Sequence, residues 1–270
     1  MTDAGLEISL DGVAACFATP DGVIEALEAF DLDVPSGSFT VVIGPNGCGK
    51  STLLRLIAGL KLPDSGRVLV GPSQPVAGDG RVGLAFQQPR LVPWRSVLDN
   101  VALPIELAGV GVDERRARAA DLLVQVGLDT VARLRPAQLS GGMAQRAALA
   151  RALIVDPPVL LMDEPFSALD ALSRETFDDE LQRLWLERPR TVVFVTHDVA
   201  EAVALGDRVV VMTPRPGRVA RIIEVDLPRP RPVAGDPAAA ALAAEVRDAL
   251  ASVHALELRP WAEAPEAGMA

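Results

Sequence analysis

Tyrosine is absent from this chain of 270 residues, and aromatic residues together make up only 4% of it. Any site that needs a ring must use one of seven phenylalanines or three tryptophans. Cysteine is almost as scarce, with Cys16 and Cys48 the full complement, too few for the disulfide framework of a small secreted domain. No apolar run approaches the roughly 18 residues that a membrane-crossing helix requires. The opening Met1-Thr2-Asp3-Ala4-Gly5 lacks the basic-then-apolar order of a signal peptide. Basic residues are outnumbered 26 to 36, for a net charge of −10, which weighs against a general nucleic-acid or anionic-membrane binder. These absences point to a cytoplasmic globular chain, long enough for one large domain or two small ones. A membrane role would have to come through a partner.

The most informative segment present is Gly44-Pro45-Asn46-Gly47-Cys48-Gly49-Lys50-Ser51-Thr52. It matches the phosphate-binding pattern G-x-x-x-x-G-K-[ST]. The apolar run from Phe39 to Ile43 predicts a buried strand before it, and Leu53, Leu54, Leu56 and Ile57 predict a helix after it, ending near Gly59. Strand, glycine loop and helix are the context that gives the pattern meaning. The glycines let backbone N–H groups turn inward around a β-phosphate, and the helix N-terminus adds its partial positive charge. Lys50 would then reach the β- and γ-phosphates of a bound nucleoside triphosphate, and the Ser51 hydroxyl a Mg²⁺ ion. Cys48 is read as a small filler in the loop, whose alkylation would block the nucleotide only because of where it sits.

The rest of the chain has a definite order. Short alternating runs over residues 6–34, with turn signals at Pro20-Asp21-Gly22 and Pro35-Ser36-Gly37, predict a small antiparallel sheet. Two more strands are expected at Arg67 to Val70 and Arg81 to Phe86. Residues 95–156 turn helical, with Asp113 as an expected N-cap and Ala117, Ala120, Leu123 and Val124 on one face. Val159 to Met162, Thr191 to Thr196 and Val209 to Met212 read as buried parallel strands. Leu227-Pro228-Arg229-Pro230-Arg231-Pro232 is excluded from regular helix. Asp236-Pro237 then fits an N-cap and first helical position, opening a stripe of Leu242, Val246, Leu250 and Val253. His254 belongs to no motif and is read as a surface or packing residue.

Two further signals carry chemistry. Val159 to Met162 runs into Asp163-Glu164, and an acid at such a strand end holds the Mg²⁺ shell in phosphate-loop enzymes. Asp163 takes that role. Glu164 would face the γ-phosphate as general base for an attacking water. Ser140-Gly141-Gly142, opening an apolar helix, makes a second anion-binding N-terminus. A chain with a complete phosphate loop has no use for a second γ-phosphate site, whereas two chains facing head to tail do. A nucleotide sandwiched between two copies follows.

At this point the chain resembles the ATP-binding subunit of an ATP-binding cassette (ABC) transporter over roughly residues 6–225. The resemblance implies an α/β fold, a RecA-like P-loop NTPase core with a small antiparallel β subdomain and a helical insertion. The boundaries it suggests are an ATPase domain over 1–232, the insertion at about 88–158, and a C-terminal helical extension over 233–270. It implies that Gln87 touches Mg²⁺ and senses the membrane subunit. Ser140, Gly141, Gly142 and Gln145 form the signature, acting in trans; Ser167, Ala168, Leu169 and Asp170 form the D-loop; and His197 is the switch histidine on the γ-phosphate. Phe17 would stack adenine in place of the family's usual tyrosine. The implied partners are a second ATPase subunit, usually a homodimer, and membrane permease subunits. An extracytoplasmic solute-binding protein acts indirectly, nucleic acid is not a partner, and the site of action is the cytoplasmic face of the membrane.

Arg90-Leu91-Val92-Pro93-Trp94-Arg95 and Val225-Asp226-Leu227-Pro228-Arg229-Pro230-Arg231 further resemble the importer branch for nitrate, sulfonates, taurine and pyrimidine precursors of thiamine. Trp94 is expected on the contact with the membrane subunits. A soluble single-cassette ABC ATPase acting in assembly or repair is the alternative reading. The absence of cysteine clusters and long heptads argues against its repair form.

Overall fold

The computed structural model describes residues 5–20, 22–166, 171–231 and 236–257. Its elements begin with β1 (Ile8–Thr19), β2 (Gly22–Val34), β3 (Phe39–Ile43), α1 (Lys50–Ile57), β4 (Ser65–Val70) and β5 (Val82–Ala85). Three helices follow, α2 (Val97–Leu107), α3 (Val112–Gln125) and α4 (Gly141–Leu153). The chain then runs through β6 (Val159–Asp163), α5 (Ala171–Glu187), β7 (Thr191–Val195), α6 (Val199–Leu205), β8 (Arg208–Met212), β9 (Val219–Glu224) and α7 (Pro237–Glu257).

Among the described residues, β1, β2 and β4 make a small antiparallel sheet in the order β2-β1-β4. The main sheet has the order β5-β6-β7-β3-β8-β9, with every neighbouring pair parallel except β8 and β9. Its central strands are apolar on both faces because both faces are covered. Phe39, Val41 and Ile43 of β3 and Val192 and Phe194 of β7 point to one side, where α5, α6 and α7 pack. Val42, Val193 and Val195 point to the other, where α1 and the small sheet close the core. The alternation is the two-residue period of a strand.

The helices α2, α3 and α4 interrupt the main sheet between β5 and β6, which nevertheless pair directly. They bury their own core of Val97, Val101, Ile105, Ala119, Leu123 and Val126. Here one expectation fails. The N-cap of α3 is Gly111, not Asp113, and Ala117, Ala120 and Val124 are exposed while Ala119, Leu123 and Val126 are buried. Alanine is small enough to sit on either face of a helix, so the contact with α2 sets which side faces in.

Asp236 caps α7 as expected, its Oδ1 accepting from the backbone N–H of Ala238 at 2.8 Å. Ala239, Ala243, Val246, Ala249 and Val253 then join the main core, with Leu242 and Leu250 packed at its margin. The preceding strap is pinned by two arginines. Arg229 stacks on the Trp185 ring at 4.5 Å and donates to Asp207 at 2.7 Å. Arg231 is buried and donates to the carbonyls of Leu227, Val225 and Gly206.

Candidate functional site

The ends of β3, β6 and β7 open on one side of the main sheet, where parallel α/β sheets bind ligands. The loop from Gly44 leads into α1 through Gly49, whose φ of 108° is natural only for glycine. A Cβ there would also lie 2.8 Å from the Ala26 carbonyl. Gly49 offers no side chain to cap the helix, and the first turn contains no acidic residue. The N–H donors at this end are therefore left for an outside anion. The Lys50 ammonium is buried and donates to the carbonyls of Gly44 and Pro45 at 2.8 and 2.9 Å. An ammonium has three N–H groups, so one remains for a phosphate oxygen.

A cleft of about 600 Å³ extends from this loop, lined by Phe17, Asn46, Lys50, Gln87, Glu164 and His197 among others. Phe17 stands at its small-sheet rim, paired with Ile24, with the Lys61 ammonium 5.1 Å from the ring centroid. At the far end three side chains meet. Gln87 Nε2 lies 3.3 Å from Glu164 Oε2, and His197 Nδ1 lies 3.3 Å from the same oxygen. Glu164 is held for this by its backbone: its N–H donates to Val195 O at 2.9 Å, and its φ of 43° is left-handed. A non-glycine residue takes that conformation at a cost of the order of 1 kcal/mol, which the surrounding strands must impose.

Asp163 is the last residue of β6 and lies beside the Ser51 hydroxyl. Burial pushes its carboxyl above the usual range and the Glu164 charge adds to this, while the Ser51 hydroxyl, Arg55 and Lys50 oppose it. A desolvated carboxylate beside a hydroxyl and a lysine-bearing phosphate loop is a donor set suited to Mg²⁺. That ion takes one or two carboxylates and completes its shell with phosphates and water. No cluster of three or more His, Cys, Asp or Glu residues able to hold a metal by itself occurs among the described residues, in keeping with this sharing. Ser51, Asp163 and Gln87 are the residues that would hold it.

The remaining candidates are placed differently. Ser140 caps α4, its Oγ accepting from Met143 N–H at 3.3 Å, and Gly141 and Gly142 open the helix. Gln145 does not join that surface: it is buried, and its amide donates inward to Gln87 O at 2.9 Å. Cys48 turns into the core beneath the loop and is only 1% exposed. The D-loop residues Ser167, Ala168, Leu169 and Asp170 lie outside the described residues. His254 is exposed on α7 and contacts Leu250 O at 3.0 Å.

Three residues lining the cleft escaped the sequence reading, Ile24 and Ala26 of β2 and the charged Arg215. Arg215 lines it because the β8–β9 turn docks on the phosphate loop. A Cβ on Gly217 would sit 2.0 Å from Cys48 O, and Gly217 N–H donates to Ala26 O at 2.9 Å. The close glycine approach in Arg215-Pro216-Gly217 was the available signal.

A glycine loop between a central parallel strand and a helix, faced by Asp163 and Glu164, defines a phosphate-loop nucleoside triphosphatase. The family model for the ABC transporter matches residues 27–167, and the chain belongs to that family. ATP binding and ATP hydrolysis are its activity. The chain is 44% identical over 258 residues to the taurine import ATP-binding protein of Rhizobium johnstonii, covering 92% of this chain and 98% of that one. It is 51% identical over 205 residues to an aliphatic sulfonates import ATP-binding protein of Mesorhizobium japonicum, covering 76% of each. A dimeric ATP-binding cassette in a post-hydrolysis state with ADP and Pi superposes with a TM-score of 0.74 at 34% identity, covering 82% of this chain and 99% of that one.

Proposed function

We propose that two copies of this chain, each binding ATP, energise the import of a small sulfonate-like, taurine-like, nitrate-like or thiamine-precursor-like solute through membrane permease subunits. The observation that carries the catalytic part is the meeting of Gln87 and His197 on one oxygen of Glu164. The names of the taurine and sulfonate relatives support the import branch, and a dimeric structural neighbour supports the pairing of two chains. The chain has no helix among its described residues long and apolar enough to cross a membrane. In this reading, which the import names of the relatives support, it sits at the cytoplasmic face, attached through the permease and only indirectly linked to an extracytoplasmic solute-binding protein.

In this reading Phe17 stacks the adenine, the loop from Gly44 to Thr52 wraps the phosphates, and Lys50 neutralises the β- and γ-phosphates. Glu164 accepts the proton of the attacking water, which His197 and Gln87 help to place. Ser51, Asp163 and Gln87 would hold a Mg²⁺ ion, which would draw charge off the phosphate oxygens. Ser140, Gly141 and Gly142 of one copy close over the nucleotide of the other, and loss of the γ-phosphate loosens the pair.

The contact with the permease is assigned to the segment after Gln87. Asn100 is fully buried and ties this segment down: its Oδ1 accepts from Val92 N–H at 2.6 Å, and its amide donates to the carbonyls of Val92, Arg95 and Ser96. The result is a rigid loop that leaves Trp94 74% exposed. An exposed tryptophan on a fixed loop is a typical interface anchor.

The test is to recover tagged Glu164→Gln chain with ATP from detergent-solubilised membranes of its own host. Co-purification of a multi-spanning protein supports the transporter reading. Recovery of soluble proteins alone would move the soluble ABC ATPase ahead.

A further inference from the structure

Residue His197 has few anchors of its own. Its side chain is 57% exposed, and its ring contact with Glu164 is with the group it must help to orient. Its position is set by its two neighbours, and both neighbours are tied to one cation. Asp198 caps α6, its Oδ1 accepting from Ala200 N–H at 2.7 Å, while its Oδ2 accepts from Arg174 Nη1 at 3.1 Å. Thr196 donates its hydroxyl to Glu201 Oε2 at 2.5 Å and accepts the Asp198 N–H at 3.0 Å. Glu201 Oε1 in turn forms an ion pair with Arg174 Nε at 3.3 Å. One guanidinium thus spans the residue after His197 directly and the residue before it through Glu201.

We propose that Arg174 is the positioning residue of the switch histidine, bracing Thr196 and Asp198 so that His197 is held over the γ-phosphate. The proposal rests on the reading of His197 given above, and extends it to a residue on a different element. Arg174 lies in the first turn of α5, which begins directly after residues 167–170. A shift of α5 therefore moves the brace, and with it the histidine. The guanidinium sets its Nη1 against Asp198 and its Nε against Glu201, two positions that the single point charge of a lysine ammonium does not reproduce.

The brace is also electrostatically exposed to failure. Arg174 faces Asp198 and Glu201 from α6, with Asp178 and Asp179 on its own helix and His197 beside Glu201. Burial and the neighbouring acids hold the carboxyls of Asp178 and Glu201 above their usual range, and Arg174 opposes this at both. Without the guanidinium the cluster is a set of like charges in a half-buried place. Those charges repel most when the carboxyls are ionised, so the damage grows as pH rises.

The experiment uses the full chain with ATP and Mg²⁺, comparing wild type with Arg174→Met, His197→Ala, the double variant of these two, and Arg174→Met combined with Asp178→Asn. For Arg174→Met the expected result is a kcat lower by about tenfold to a hundredfold, with ATP affinity within about twofold, since misplacing one catalytic group by 1 Å has an effect of that size. Its kcat relative to wild type should fall further between pH 6 and pH 9, and Asp178→Asn should restore part of the loss at the alkaline end, where it removes an ionised carboxylate. In the His197→Ala background, Arg174→Met should cost little more. Wild-type kcat in Arg174→Met, a parallel loss of ATP affinity, or full additivity with His197→Ala would overturn the proposal. If His197→Ala itself turns over normally, the reading of His197 fails, and that failure is seen without reference to Arg174.

Discussion

The Gln145 amide donates to the backbone carbonyl of Gln87 at 2.9 Å. Further along α4, Arg151 adds donors to the carbonyls of Pro89 and Arg90 at 2.7 and 2.8 Å. The helix that opens with Ser140-Gly141-Gly142 thus holds the main chain of the segment that begins with Gln87. A rotation of the helical insertion carries Gln87 and the exposed Trp94 with it. The resemblance alone put Gln145 in the signature surface; the structure uses its side chain as an internal tether.

Removing that tether is expected to loosen the segment rather than the nucleotide site. Gln145→Leu should raise amide exchange over residues 87–95 by about fivefold, the effect of losing one hydrogen bond of roughly 1 kcal/mol. Hydrogen exchange read by mass spectrometry checks this. Unchanged protection there would show that Arg151 and Asn100 hold the segment without it.

Asp178 makes stability depend on pH in a direction opposite to most carboxylates. Its carboxyl is pushed up to about 8, first by burial and then by Glu201 and Asp198, with Arg174 opposing. Between the ordinary value of 3.8 and about 8, the folded chain keeps a proton that the unfolded chain has released, so stability falls as pH rises through that window and levels off above it. Asparagine carries no such proton. The Tm of Asp178→Asn minus that of wild type should therefore widen from about pH 5 to about pH 8 and stay flat beyond. Calorimetry showing a constant difference would contradict the account.

Phe17 supplies the ring that the absent tyrosine would have provided. Phe17→Ala should weaken ATP binding by about tenfold or more, since stacking a base on an aromatic ring is worth roughly 1–3 kcal/mol. Phe17→Trp should keep affinity close to that of wild type. Titration with a fluorescent ATP analogue measures both, and equal affinity in the alanine variant would place the adenine elsewhere.

Cys48 lies 1% exposed beneath the phosphate loop, whereas Cys16 is partly exposed. A thiol reagent added to the native chain should label Cys16 quickly and Cys48 only on unfolding, with ATP making little difference. Rapid labelling of Cys48 would show that the loop opens readily.

Much of the fold was legible because local pattern and tertiary setting agree. The run Phe39 to Ile43 is a strand buried on both faces, and its glycine loop and helix sit where the motif requires them. Asp236 and Pro237 mark the start of α7 for the same local reason. Legibility ended where the partner was distant. The buried face of α3 depends on α2, and β9 went unread because its strand character comes from pairing with β8, buried from Val209 to Met212. Arg174, Arg215 and Asn100 were silent because an arginine or asparagine has no pattern of its own. Their roles arise from Asp198, from the close packing at Gly217, and from the loop at Val92.

The central claim is that Glu164, gripped by Gln87 and His197, activates the water that attacks ATP. The most direct measurement is single-turnover hydrolysis by Glu164→Gln, with its oligomeric state followed by light scattering in ATP and Mg²⁺. The account predicts ATP affinity like that of wild type, turnover lower by about a hundredfold or more, and a long-lived ATP-loaded dimer. Turnover at the wild-type rate, with no lasting dimer, would contradict it.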